Sequence, residues 1–275
     1  MNIISELKCH RPLSVCTNDW IVFQLGLFFL PSSAFISGLL FLKSCLTNSF
    51  QNQNRYFNDP WNIPFFLAGV LMIIGSIGSF SGWLAWIGLS NWLPFFWLFW
   101  ACQPFLSTSQ ARKRSALCLL FGSFPVVVTG IGQLYLGWQG PWELFNGLII
   151  WFLAPGGEPY GRLSGLFDYA NIAGAWLALI WPIALAAFLE QNLSFRRRSV
   201  AFSFALGVIF ALLLTDSRNA WGGLVLAIPF VLGPFSWPWL LPLLLLILMP
   251  VFMAVLPWFG SDLQLWARTF VPESL

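Results

Sequence analysis

Six stretches of this chain carry no Asp, Glu, Lys or Arg: Ile21–Leu42, Trp61–Cys102, Ser115–Trp142, Tyr169–Leu189, Ser199–Thr215 and Asn219–Ser261. A helix needs roughly 20 apolar residues to cross the roughly 30 Å hydrocarbon core of a bilayer. Each stretch is about that long or longer, Ser199–Thr215 being marginal. Charged residues make up 8% of the 275 and hydrophobic residues 58%, whereas a soluble domain carries about 25% charge. A soluble enzyme, a disordered chain and a soluble nucleic-acid binder are thereby excluded. The net charge of +3 is too small to mark a nucleic-acid partner. Lipid is the expected solvent for most of the chain.

In lipid the backbone must satisfy its own hydrogen bonds, which leaves helices or a closed barrel, and no strand-length alternation points to a barrel. The expected fold is all-α, a polytopic transmembrane bundle of about eight to nine segments. Its expected spans are Ile21–Leu42, Ile63–Phe80, Trp83–Cys102, Ala116–Leu136, Tyr169–Leu189, Val200–Leu214, Asn219–Leu232 and Trp237–Trp258. Two charge-free stretches are too long for one crossing. Glycines and serines from Gly78 to Gly82 break the first, and Gly233-Pro234-Phe235-Ser236-Trp237-Pro238 breaks the second by turn chemistry. Residues 1–19 form a tail, 20–259 the membrane domain with a long connection at 137–168, and 260–275 a terminal segment. Trp20, Trp61, Trp83, Trp138, Trp142, Tyr169, Trp237, Trp239 and Trp258 stand near span ends, where interfacial aromatic belts form. Ordinary packing is the alternative for each of them.

Arg112-Lys113-Arg114 and Arg196-Arg197-Arg198 are the only basic triplets. Short-loop cations favour the cytoplasm, and the two intervening spans place both triplets on one side, consistent with a plasma-membrane protein whose basic loops 112–114 and 196–198 are cytoplasmic. The connection 137–168 and Thr215–Arg218 then face the opposite side. The segment Trp20–Leu46 has Pro31-Ser32-Ser33 at its middle, so a helical hairpin is preferred there over one span; it also returns the N-terminus to the side of the triplets. The five cysteines, Cys9, Cys16, Cys45, Cys102 and Cys118, are scattered singly, which supports neither a disulfide framework nor a zinc site. No metal or cofactor is implied.

Few charges remain on the far side. Trp142–Leu153 is too short to span and is expected to lie in the interface. The turn Ala154–Gly161 delivers Arg162 just ahead of a helix beginning near Asp168 or Asn171. The second junction, Thr215-Asp216-Ser217-Arg218-Asn219, puts Arg218 beside a helix N-terminus. An arginine at membrane depth is costly unless it is paired, snorkelled or facing a wet cavity. A guanidinium matches phosphate and carboxylate bidentately, and a helix N-terminus adds free N–H donors. Arg162 and Arg218 therefore form a candidate anion clamp, with Asp168, Asn171, Asp216 and Ser217 as support. The alternative is local ion pairing, Arg218 with Asp216 and Arg162 with Glu158 or Asp168.

Gly161-Arg162-Leu163-Ser164-Gly165-Leu166-Phe167-Asp168-Tyr169-Ala170-Asn171 resembles the segment GR-x-x-G-x-F-x-(N)-x-N of the O-antigen ligase and polymerase superfamily. Leu212-Leu213-Leu214-Thr215-Asp216-Ser217-Arg218-Asn219-Ala220-Trp221 resembles that superfamily's L-T-x-S-R-x-x-W segment. The Trp-rich N-terminal half is similar to a branch from photosynthetic bacteria once described as bicarbonate transport proteins. The resemblance implies an all-helical, metal-independent glycosyltransferase of the inner membrane. Such a protein moves a glycan from an undecaprenyl-pyrophosphate donor to an acceptor, and Arg162 and Arg218 match the two arginines thought to hold the pyrophosphate. It also implies lipid-linked oligosaccharide and membrane lipids as partners.

The sequence departs from that pattern in two places. Asp168 and Tyr169 occupy positions where the family often has an Asn-type residue. Leu265–Leu275 resembles the opening of the family's large periplasmic loop, whose histidine activates the acceptor, yet no histidine follows His10. The chain is thus expected to be the N-terminal portion of a ligase-like protein, lacking catalytic residues and inactive alone, and to rely on a separately encoded C-terminal half. A membrane transporter or channel component for a small anion such as bicarbonate is the alternative from a different class.

Overall fold

The computed structural model describes residues 11–190, 194–255 and 260–268. His10, Lys8, Cys9, Trp258 and residues 269–275 lie outside the described residues.

Proline and serine break the first apolar run where turn chemistry places them. Helix α1 (Thr17–Phe29) ends before Pro31, and α2 (Ala34–Asn52) starts after Ser33, whose hydroxyl accepts from the Ile36 N–H at 3.3 Å. The arms fold back on each other. Ser37 donates to the Gly26 carbonyl at 2.8 Å, and the Phe23 and Phe41 rings lie 5.4 Å apart. A Cβ on Gly26 would press into Phe41, so glycine permits this approach. The preferred hairpin is what forms.

Helix α3 (Asn62–Ile77) stops at the glycine- and serine-rich break, where Gly82 takes φ +54°. Helices α4 (Trp83–Ser90) and α5 (Leu93–Cys102) follow. With the turn after them they make one apolar rod, Trp83–Leu106. Helices α6 (Ser109–Gly122) and α7 (Phe124–Tyr135) run on through Ser123 as a second rod, Ser109–Tyr135. Helices α8 (Ala170–Leu189) and α9 (Phe195–Leu214) are single rods. These four are long and apolar enough to cross a membrane. Helix α10 (Arg218–Leu232) meets α11 (Trp237–Val255) at a 110° bend, and if that pair counts as one broken span the number is five. The remaining expected spans fall on helices too short or too polar to qualify: α1 has 13 residues and α3 has 16. Among the described residues, length and composition therefore support four to five crossings where eight to nine were expected. A final helix, α12 (Ser261–Arg268), precedes the end of the described chain.

The connection 137–168 departs from the all-helical expectation. Trp142–Leu144 (β1) and Ile149–Trp151 (β2) pair antiparallel, with Trp142 opposite Trp151 and Leu144 opposite Ile149. Phe145, Asn146 and Gly147 all have positive φ, and Asn-Gly is the strongest short hairpin signal because both residues tolerate that backbone. The expected interfacial segment is a hairpin. Its Trp151 indole donates to the Ser32 carbonyl at 2.9 Å, anchoring it on the turn between α1 and α2.

Two cores result. One gathers Val15, Trp20, Phe23, Cys45, Ala101, Phe105 and Ala111. The other gathers Val126, Leu163, Leu177, Ile180, Val208 and Leu212 from α7, α8, α9 and the loop before α8. Trp20 is fully buried in the first and so forms no interfacial belt, whereas Trp61, Trp83 and Trp239 face outward. Polar side chains stitch α2 to α5: Trp97 Nε1 donates to Ser49 Oγ at 3.1 Å, and Cys45 and Cys102 lie 3.8 Å apart. The two thiols scattered in sequence are neighbours in space.

Both basic triplets sit inside helices, in the early turns of α6 and α9, rather than in loops. Lys113 Nζ is 2.8 Å from Glu190 Oε2, and Arg198 donates to the Glu190 carbonyl at 3.3 Å. The triplets thus occupy the same end of the bundle. The start of α1 joins them there, since Val15 and Trp20 share a core with Ala111.

Candidate functional site

The loop that carries Arg162 is built from glycines and one buried glutamine. Gly157 has φ +89°, and a Cβ there would collide with the Arg162 carbonyl oxygen. The Gly161 N–H donates to the Gly156 carbonyl at 2.8 Å, and the Arg162 N–H to the Pro159 carbonyl at 3.0 Å. Gln133, 1% exposed on α7, holds the loop from below. Its amide donates to the Ala154 carbonyl at 2.7 Å and to Ser164 Oγ at 3.1 Å. Its carbonyl oxygen accepts from the Gly165 and Ser164 N–H groups at 2.8 and 3.3 Å. Leu163 is pinned by its N–H to the Leu214 carbonyl at 2.8 Å, which sets the loop against the end of α9.

Arg162 is consequently braced across that junction. Nε donates to the Thr215 carbonyl at 2.9 Å, and Nη2 donates to the Asp216 carbonyl at 2.9 Å and to Asn171 Oδ1 at 2.8 Å. Asp216 takes φ +46° in the turn that presents both carbonyls. The opposite edge of the guanidinium, Nη1, has no partner among the described residues. Arg218, the first residue of α10, is exposed and also has none among them. Ser217, the residue capping α10, is 4% exposed and its hydroxyl makes no capping bond. Close packing of α8 on α10 depends on Gly174, where an added Cβ would sit 3.0 Å from Ala220, Ser217 and Thr215 side-chain atoms.

Arg162, Asn171, Asp216, Ser217, Arg218 and Asn219 together line one cavity of 360 Å³. Five of the six residues expected at the clamp and its support are therefore brought together. Asp168 is the exception. It lines a neighbouring cavity of 340 Å³ with Glu158, Phe152 and Phe167, because the loop closes through the Ala170 N–H to the Glu158 carbonyl, 2.7 Å, and leaves Asp168 on the far side of that closure. The local pairing alternative is not what forms: among the described residues the ion pair is Lys113–Glu190, at the other end. Carbonyls and an amide, not carboxylates, hold Arg162.

Two guanidiniums, one carboxylate and the N-terminus of a 15-residue helix leave this cavity electropositive, and all of its unpartnered donors suit an anion. Sequence reasoning missed Asn219 and Gln133. The signal for Gln133 was present: a lone amide in the expected span Ala116–Leu136, where a polar group at membrane depth must have a partner. Comparison with protein-family models, with curated proteins and with solved structures finds no match to this chain.

Proposed function

We propose that the Arg162–Arg218 cavity holds the diphosphate of a lipid-linked glycan donor, as the resemblance to O-antigen ligases implies. The carrying observation is the meeting, in one 360 Å³ cavity, of a braced arginine with a free edge, a second arginine and a buried serine, the latter two without a side-chain partner among the described residues. Such donors bind phosphate oxygens bidentately and at close range. The cavity opens at one end of an apolar bundle, where the headgroup of a membrane-embedded lipid would lie. In this reading the triplets face the cytoplasm, the cavity faces the opposite side of the plasma membrane, and the shorter helices complete eight to nine membrane segments. The role is donor binding; no residue of the cavity is assigned to catalysis.

The transport alternative requires a polar path through the bundle. Ala173, Leu177, Ile180, Val208 and Ala211 are all buried beneath the cavity, which favours a binding site over a conduit. The test is binding of undecaprenyl diphosphate to the full chain in nanodiscs, with undecaprenol as the control. Arg218→Ala should weaken binding about tenfold or more, the worth of one charge-assisted hydrogen bond, and Arg162→Ala should weaken it too. Unchanged binding in both variants, or equal binding of the alcohol, would remove the proposal.

A further inference from the structure

The opposite end of the bundle gathers the two basic triplets. Glu190, at the end of α8, receives Lys113 Nζ at 2.8 Å on its carboxylate and Arg198 at 3.3 Å on its carbonyl. Glu190 thereby draws Lys113 and Arg198, one from each triplet, to the same end of the bundle. Arg196, Arg197 and Arg198 occupy the first turn of α9, which contains no acidic residue. The positive end of the helix dipole disfavours cations there, so neither the helix nor its own sequence neutralises them. Arg114 Nε is buried without a partner, and Arg196 and Arg197 are exposed with none among the described residues. Arg112 is committed to the Leu106 and Ser107 carbonyls.

We propose that the two triplets bind the phosphate of anionic phospholipid headgroups. The choice of lipid over an acidic protein rests on what lies directly below the charges. Val200 and Phe202, which follow the triplet along α9, are 64% and 46% exposed, so the surface is cationic at the rim and apolar beneath it. A ligand with an anionic head and apolar tails covers both parts, whereas a soluble acidic partner leaves the apolar part bare. The triplets also stand at the ends of two membrane-length rods, Ser109–Tyr135 and Phe195–Leu214, at the depth where headgroup phosphates reside. Arg196 and Arg197 supply the free donors, and Glu190 competes with the lipid for Lys113.

The test is lipid retention by the full chain reconstituted in mixed phosphatidylglycerol and phosphatidylcholine, read by native mass spectrometry or by spin-labelled lipids. Wild type should retain phosphatidylglycerol preferentially. The double variant Arg196→Gln/Arg197→Gln should lower that preference by about fivefold per cation removed. Glu190→Gln should raise it by releasing Lys113. Glu143→Gln, exposed on the β-hairpin and part of neither arginine site, should leave it unchanged. The proposal fails if the two lipids are retained equally, or if the double variant keeps the preference. It also fails if Glu143→Gln changes the preference as much, or if inorganic phosphate or an acidic peptide occupies the triplets while the lipids do not discriminate.

Discussion

The two ends of the bundle place arginine in opposite settings. At the triplet end, six cations ride on early helix turns, largely exposed, and the Lys113–Glu190 pair there joins side chains 52% and 37% exposed. At the other end, two arginines sit where loops meet helix ends, and Arg162 spends three donor contacts on the fold itself. The first arrangement needs only a run of basic residues at the end of a rod. The second exists only after four separate segments, 133, 154–165, 171 and 214–219, have been brought together. Charge at the triplet end is a local property of the sequence; charge at the cavity end is a tertiary construction.

The contrast can be broken most forcefully at Gly157. Gly157→Ala puts a Cβ against the Arg162 carbonyl oxygen at φ +89°, at a cost of about 1–3 kcal/mol for the backbone and a similar amount for overpacking. Thermal unfolding in nanodiscs should drop further for this variant than for Gln133→Leu or Arg162→Ala, and retained stability would mean that the loop does not hold this conformation. Next in size is Gln133→Leu. It orphans the Ser164 and Gly165 N–H groups, at about 1–3 kcal/mol for each group left unpaired, and leaves the Ala154 carbonyl with the Gly157 N–H alone. Both stability and diphosphate binding should fall together.

Arg162 and Arg218 sharpen the comparison within the cavity itself. Arg162→Ala should destabilise by about 1–3 kcal/mol through lost bonds to carbonyls and Asn171. Arg218→Ala should move stability by no more than about 0.5 kcal/mol, as for a surface change, while binding still drops. Equal stability losses would contradict the division between brace and free arm. The smallest effect belongs to the triplet end: Glu190→Gln removes an exposed pair worth about 0.2–1 kcal/mol, and its melting transition should barely shift. A loss as large as that of Gln133→Leu would show that Glu190 is structural.

Several of these features are legible in the residues alone. Pro31-Ser32-Ser33, the glycines at 78 and 82, and Gly233-Pro234 each interrupt the chain where their backbone preferences require. Arg162, Arg218, Asn171, Asp216 and Ser217 converge although nine to 56 residues separate Arg162 from the others. The hairpin at 142–151 escapes a reading that weighs apolar content above Asn146-Gly147, the turn signal it contains. Asp168 is misplaced by sequence because a sequence shows proximity along the chain and not the loop closure that separates neighbours. The Cys45–Cys102 approach depends on how α2 meets α5, which no local pattern encodes. Freedom from charge does not by itself set helix length: among the described residues four helices, or five with the bent pair, are long and apolar enough to cross.

The 110° elbow between α10 and α11 also fixes how the protein meets bilayers of different thickness. Helix α10 has 15 residues and so reaches only about 22 Å, short of a roughly 30 Å core. Its turn is self-sufficient: the Gly233 N–H and the Trp237 indole both donate to the Pro229 carbonyl, and Ser236 donates to Gly233. Hydrophobic mismatch at this elbow therefore grows as the membrane thickens, while thinner membranes bring it to the headgroups. Acyl-chain length, and not headgroup chemistry alone, becomes a determinant of where such a protein resides most stably.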